Sequence, residues 1–142
     1  MLLEQIKNAG ILRNLTSLYN FIQNDINFFL EELPINYLEY SILMYISQNE
    51  STQYKIAEKY MVSFQRVSQI VNKLVKSGYI RKEEAICNGR IIKKLIISEK
   101  GETILDNINN KLVKNFKGKN IQTEELIVLN ESLKRILQGI KK

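Results

Sequence analysis

Apolar positions recur at helical steps along most of this chain and give way to a strand-like pattern in one place. Leu3, Ile6, Ile11, Leu15, Leu18, Ile22, Ile26 and Phe29 follow one another at steps of three to five. They predict a helix from about Leu2 to Leu33, with Gly10 placed to interrupt its first turns. A helix of that length either crosses the whole domain or packs against a second chain. Pro34, the only proline, divides it from the next helical pattern. Asn36 and Glu39 have the spacing of a capping box and open a second helix through Leu38, Ile42, Leu43 and Ile46. Asn49, Glu50 and Ser51 break it, and Thr52 caps a short third helix holding Ile56, Ala57 and Tyr60. After a Met61-Val62 link, Ser63 caps a fourth helix. Its apolar stripe is Val67, Ile70, Val71, Leu74 and Val75, and Gly78 stands where a left-handed C-terminal cap is expected.

From Tyr79 the period shortens. Ile80 to Ala85 and Ile91 to Ile97 suit strands, and Asn88-Gly89 between them is a dipeptide favoured in type I′ turns, so a β-hairpin is predicted. Ser98 caps a fifth helix through Ile104, Leu105, Ile108, Leu112 and Phe116, ending near Gly118. Thr123 opens a sixth, with Leu126, Leu129, Leu133, Ile136, Leu137 and Ile140 on one face.

Composition narrows the chemistry. At 142 residues, 44% hydrophobic and 25% charged, the chain reads as one globular domain. It has no apolar run long enough for a membrane span and no recognisable export signal, so a cytoplasmic protein is expected. There is no histidine and a single cysteine, Cys87. That removes imidazole-based metal sites and Ser-His or Cys-His nucleophiles, and no glycine-rich phosphate cradle is present. No cofactor, metal or enzymatic activity is expected. The adjacent pairs Glu31-Glu32, Glu83-Glu84 and Glu124-Glu125 read as surface charge, and Cys87 as an incidental thiol.

The net charge of +6 is unevenly spread. Residues 1–51 carry 2 basic and 6 acidic side chains, residues 52–97 carry 10 and 3, and residues 98–142 carry 9 and 6. A basic middle third suits a polyanionic partner. In that third, the fourth helix is polar opposite its apolar stripe. Ser63, Gln65, Arg66, Ser68, Gln69, Asn72 and Lys73 offer donors and acceptors that can read base edges, while Lys76, Lys55 and Lys59 suit phosphates. Two short helices joined by a tight turn and followed by a hairpin make a winged helix-turn-helix, whose hairpin tip would bring Arg90, with Asn88 and Gly89, to an adjacent minor groove.

Ile56-Ala57, Val62-Ser63, Ser68, Val71, Leu74, Gly78, Ile80 and the quartet Ser98-Glu99-Lys100-Gly101 fall in the order and approximate spacing of the MarR family of bacterial transcription regulators, which nearly the whole chain resembles. The resemblance implies a homodimer held by the terminal helices, with two wings straddling a pseudo-palindromic site. It also implies a wing contact at Lys82, where relatives often have arginine. Many members bind small ligands between dimerisation helices and winged domain. Tyr19, Tyr37, Tyr40 and Tyr45 lie in segments that would line such a cleft, a place where tyrosines also serve ordinary packing. Two departures stand out. The family's Asp-x-Arg is Asn88-Gly89-Arg90 here, and counting back from Gly101 there is one residue more than the pattern, for which a bulge in the second wing strand is expected.

The expected molecule is mainly α, a winged helix-turn-helix of about six helices with a hairpin wing. Residues 1–142 would form one domain, with 36–98 contacting DNA and 1–33 and 99–142 forming the dimerisation region. The expected function is that of a homodimeric repressor binding double-stranded DNA, open to a small-molecule effector. The competing expectation is a protein-interaction module or antirepressor that keeps the fold without reading DNA.

Overall fold

The computed structural model describes residues 1–33 and 35–140. Pro34, the divider expected from the sequence, lies outside them. Seven helices and one hairpin are found among the described residues: α1 (Leu2–Ala9), α2 (Ile11–Leu30), α3 (Tyr37–Gln48), α4 (Gln53–Tyr60), α5 (Phe64–Lys76), β1 (Ile80–Cys87), β2 (Arg90–Ile97), α6 (Glu99–Gly118) and α7 (Thr123–Ile140). None of these helices is long and apolar enough to cross a membrane.

The long first helix expected from Leu2 to Leu33 is two helices. Gly10 takes φ 66°, ψ 25°, a left-handed conformation that ends α1 and starts α2 at once. Glycine reaches it without the steric cost a Cβ would add.

The chain divides into two units, residues 1–108 and 109–142. The core of the first is made by the stripes read from the sequence: Ile42, Leu43 and Ile46 of α3, Ile56 of α4, Val67, Val71 and Leu74 of α5, Leu95 of β2, and Leu105 and Ile108 of α6 are all buried. α2 contributes only Ile26 and Leu30 near its end, while Ile11, Leu12 and Leu15 stay exposed. In the second unit α7 has no buried residue, and Ile127, Val128, Ile136 and Ile140 are exposed.

Caps fall where the sequence places them. The side chains of Asn36, Thr52 and Ser63 accept from the backbone N–H of Glu39, Lys55 and Arg66, at 2.9, 3.3 and 3.1 Å. At the start of α6, Ser98 does two jobs: its hydroxyl donates to the carbonyl of Gly78 and accepts from the N–H of Gly101 at 3.1 Å. Lys100 donates to the carbonyl of Ser77 at 2.9 Å and lies over the Tyr79 ring. The Ser-Glu-Lys-Gly quartet thus ties the end of α5 to the start of α6.

One contact had no sequence signature. Ser51, between α3 and α4, forms an isolated antiparallel bridge with Leu95, whose N–H donates to the Ser51 carbonyl at 2.7 Å. The base of the hairpin is therefore stitched to the link between the second and third expected helices.

Candidate nucleic-acid interface

α4 and α5 are joined through Met61, which takes the left-handed φ 54°, and Val62, whose N–H returns to the carbonyl of Ala57 at 3.1 Å. The turn drives α5 off at an angle, with Val67, Ile70, Val71 and Leu74 against the core. What faces solvent is Phe64, Gln65, Arg66, Gln69, Asn72, Lys73 and Lys76, with Ser63 exposed at the cap and Ser68 half-buried. No acidic residue occurs between Met61 and Arg81.

The cations of this face are not equivalent. Lys73 Nζ lies 2.8 Å from Glu39 Oε1, and Glu39, on α3, is 4% exposed with its second oxygen, Oε2, buried without a hydrogen-bond partner. The Lys73 charge, read from the sequence as facing DNA, is thus committed to a buried carboxylate. Lys82 Nζ donates to Asn72 Oδ1 at 3.2 Å, which joins the wing to α5 and leaves the Asn72 amide nitrogen to donate elsewhere. Arg66, Lys76 and Arg90 are exposed.

The wing is a regular ladder from Ile80 opposite Ile97 to Cys87 opposite Arg90. Asn88 and Gly89 have φ of 52° and 75°, both positive as a type I′ turn requires, and glycine and asparagine reach that region at least cost. The expected bulge in β2 is absent: eight residues face eight, and the two-residue turn closes them with none left over. Arg81 pairs with Glu83 and Lys94 with Glu50, while Lys82, bonded to the neutral amide of Asn72, is exposed, as are Lys93 and Arg90. Cys87 is exposed across from Arg90.

A cavity of about 660 Å³ opens between α2, α3 and the start of α5, lined among others by Tyr19, Gln23, Tyr37, Ser41, Tyr60 and Arg66. Two of the four tyrosines expected there line it, and stand edge to face with ring centroids 6.0 Å apart. The other two do not line it: Tyr40 turns into the core, and Tyr45 stacks edge-on against Tyr60. Tyr60, placed by the sequence only on its helix, and Ser41 were not expected at the cavity, because their pairing, a Tyr60 hydroxyl donating to the Ser41 carbonyl at 2.7 Å, joins positions 19 residues apart.

Burial pushes the phenol of Tyr40 up to about 12, with a smaller contribution from Tyr37, and raises those of Tyr37 and Tyr60 as well. A phenol whose folded pKa exceeds its unfolded value adds stability that is complete below pH ~10 and lost as pH rises toward 12. Tyrosinate absorbance of the native protein should therefore keep rising above the ordinary phenol range, with Tyr40 in the late part of the rise. A single transition near pH 10, with the fold intact by circular dichroism, would contradict this environment.

A family model described as the MarR family matches residues 33–91. No curated protein gives a significant match. Among solved structures, the chain is similar to the transcriptional regulator BldR from Sulfolobus solfataricus, with 24% identity over 94% of this chain and 96% of that one, at a TM-score of 0.75. A MarR family transcriptional regulator from Silicibacter pomeroyi gives 21% identity, 93% and 90% coverage and a TM-score of 0.78. Wild-type MarR from E. coli gives 17%, 88% and 95%, with a TM-score of 0.70.

Proposed function

We propose that this chain, whose winged-helix part is that of the MarR family, binds double-stranded DNA as a homodimer and regulates transcription from the cytoplasm as a repressor. The observation that carries the reading is the exposed face of α5, where Gln65, Arg66, Gln69 and Asn72 form a row free of carboxylates beside a wing tipped by Arg90. Such a helix fits a major groove and such side chains distinguish base edges, while the wing's arginine suits a narrow minor groove. Ser63, Ser68, Lys76 and Lys82, with the Asn88-Gly89 turn, complete the proposed DNA surface, and Lys73 contributes through its place between Glu39 and the groove.

Dimerisation is supported by the apolar side chains that each terminal segment leaves in water: Leu2, Leu3, Ile11 and Leu12 at one end, Ile127, Val128, Ile136 and Ile140 at the other. Patches of this kind mark protein interfaces. Residues 1–33 and 99–142 would serve that role and 36–98 the DNA contact, as one functional domain. Two recognition helices on one pseudo-palindrome, about 34 Å apart, would cover the site, which favours repression by occlusion. The tyrosine-lined cavity is the place for an effector. Arg66 borders both it and the DNA-facing surface, so a small molecule that prefers one arrangement of Arg66 would shift DNA affinity. The reading needs no cofactor, metal or catalytic step.

The test is selection from a pool of random duplexes at two salt concentrations, with sedimentation to read the mass of the complex. Enrichment of a pseudo-palindrome by a dimer is expected. Arg66→Ala should cost ~1 to 3 kcal/mol and relax the preference at one position per half-site, and Arg90→Ala should lower the salt slope by about one. An interaction module without DNA reading would enrich nothing and leave both variants indistinguishable from the wild type.

A further inference from the structure

Tyr54, in the first turn of α4, and Phe64, the first residue of α5, lie against each other with ring centroids 4.6 Å apart and planes 32° from parallel. Both are open to solvent, Tyr54 at 75% and Phe64 at 43% exposure. Across from them Ile91 of β2 is 71% exposed, and the three border a hollow of about 410 Å³ rimmed by Lys82 and Lys93. Glu84 faces Lys93 across the ladder.

An aromatic pair on the surface leaves apolar area in water, and here it stands where the recognition helix begins, next to Gln65 and Arg66. Residues at that end of such a helix approach base edges, and the one apolar group that a base pair shows in the major groove is the 5-methyl of thymine. The lysine rim suits phosphates on either side of an apolar contact. The stacked Tyr54 ring restricts Phe64 to few orientations, so little freedom is lost on contact.

We propose that Phe64 is a specificity-determining residue that reads a thymine methyl in each half-site, with Tyr54 as the positioning residue behind it. This rests on the DNA-binding reading above and names one base that the reading leaves open. The polar side chains of α5 select by hydrogen bonds, whereas Phe64 selects by apolar contact.

The test uses the duplex that the wild-type protein enriches, remade with deoxyuridine in place of one thymidine at a time. Removing a single methyl at the contacted position should weaken wild-type binding about fourfold, the factor that goes with one methyl-sized group returned to water. Phe64→Ala should bind the two duplexes alike, Phe64→Leu should keep part of the discrimination, and Tyr54→Ala should narrow it. Thermal melting verifies that each variant is folded, and the wide exposure of Tyr54 makes its variant the safer second readout. The proposal is overturned if Phe64→Ala keeps the wild-type methyl dependence, or if no thymidine position is sensitive in the wild type. Failure to enrich any sequence would instead overturn the DNA reading itself, and the methyl contact with it. A Phe64→Ala variant that loses a protein partner while binding all duplexes as the wild type does would move the aromatic pair to a protein interface and likewise overturn the proposal.

Discussion

Gly101→Ala should remove about 3 kcal/mol of stability, close to the upper end of what a single added carbon does in a packed interior. A Cβ at this buried helical position would fall against the backbone carbonyl of Tyr79 and 2.8 Å from Cγ1 of Ile97. Neither neighbour is the loose end of a flexible side chain. The Tyr79 carbonyl already accepts from the N–H of Ser98 at 2.9 Å, so it cannot retreat without breaking the junction that orients both the wing and α6. Melting should show the loss as a fall of about 10 °C, taking ~3 to 4 °C per kcal/mol for a chain of this size. Gly139→Ala, where a Cβ meets nothing, should be neutral or slightly stabilising. Equal melting temperatures for the two variants would mean that α6 does not approach Tyr79 so closely in solution.

The second large effect concerns the buried carboxylate of Glu39. Lys73→Ala should destabilise by about 2 to 3 kcal/mol, because it leaves an anion inside the protein without its partner. The figure is set below that for a fully buried pair because the Lys73 side chain is 48% exposed, so water can reach the site. Adding Glu39→Gln should restore a good part of the loss, since the neutral amide needs no counter-ion. Chemical denaturation of the two single variants and the double variant measures the coupling directly. Glu39→Gln alone has a separate expected consequence on DNA: Lys73 gains its full charge for phosphates, so unselective affinity and the salt slope should rise, the slope by about one. A coupling energy near zero would show that Lys73 spends its time in solvent and not on Glu39.

Both effects are only partly visible in the sequence. Gly101 is half legible: Ser98 reads as a cap and the Ser98 to Gly101 quartet belongs to the pattern that the chain resembles, while the structure supplies the reason for the glycine, since hydroxyl, ammonium and missing side chain each meet residues 77–79, between α5 and β1. Helix positions, caps and the hairpin turn were readable because each depends on residues at most a few places apart. Glu39 was half legible. Its spacing from Asn36 does mark the helix start, but the carboxylate that a capping box would turn back to the cap instead crosses to α5, a choice made by tertiary packing. For the same reason the tyrosines near the cavity were named by segment and not by direction: Tyr37 and Tyr40 are three apart on one helix, yet one borders the cavity and the other enters the core. Phe64 and Tyr54 carry no base-reading signal in the sequence, because what they offer is the aromatic face that their ring contact presents, across ten residues, and not a pattern of hydrogen-bonding groups along one helix.

The bridge between Ser51 and Leu95 has a kinetic meaning. It clamps the hairpin at one end, near the core, while Ile86 and Ile91, 80% and 71% exposed, leave the other end unsupported. Amide exchange along β2 should therefore be graded, slow at Leu95 and faster toward Arg90. A wing held this way is a cantilever. Its tip can sample orientations over a duplex while its root transmits any restraint directly to the link before α4, so capturing Arg90 would stiffen the support helix as well as the hairpin.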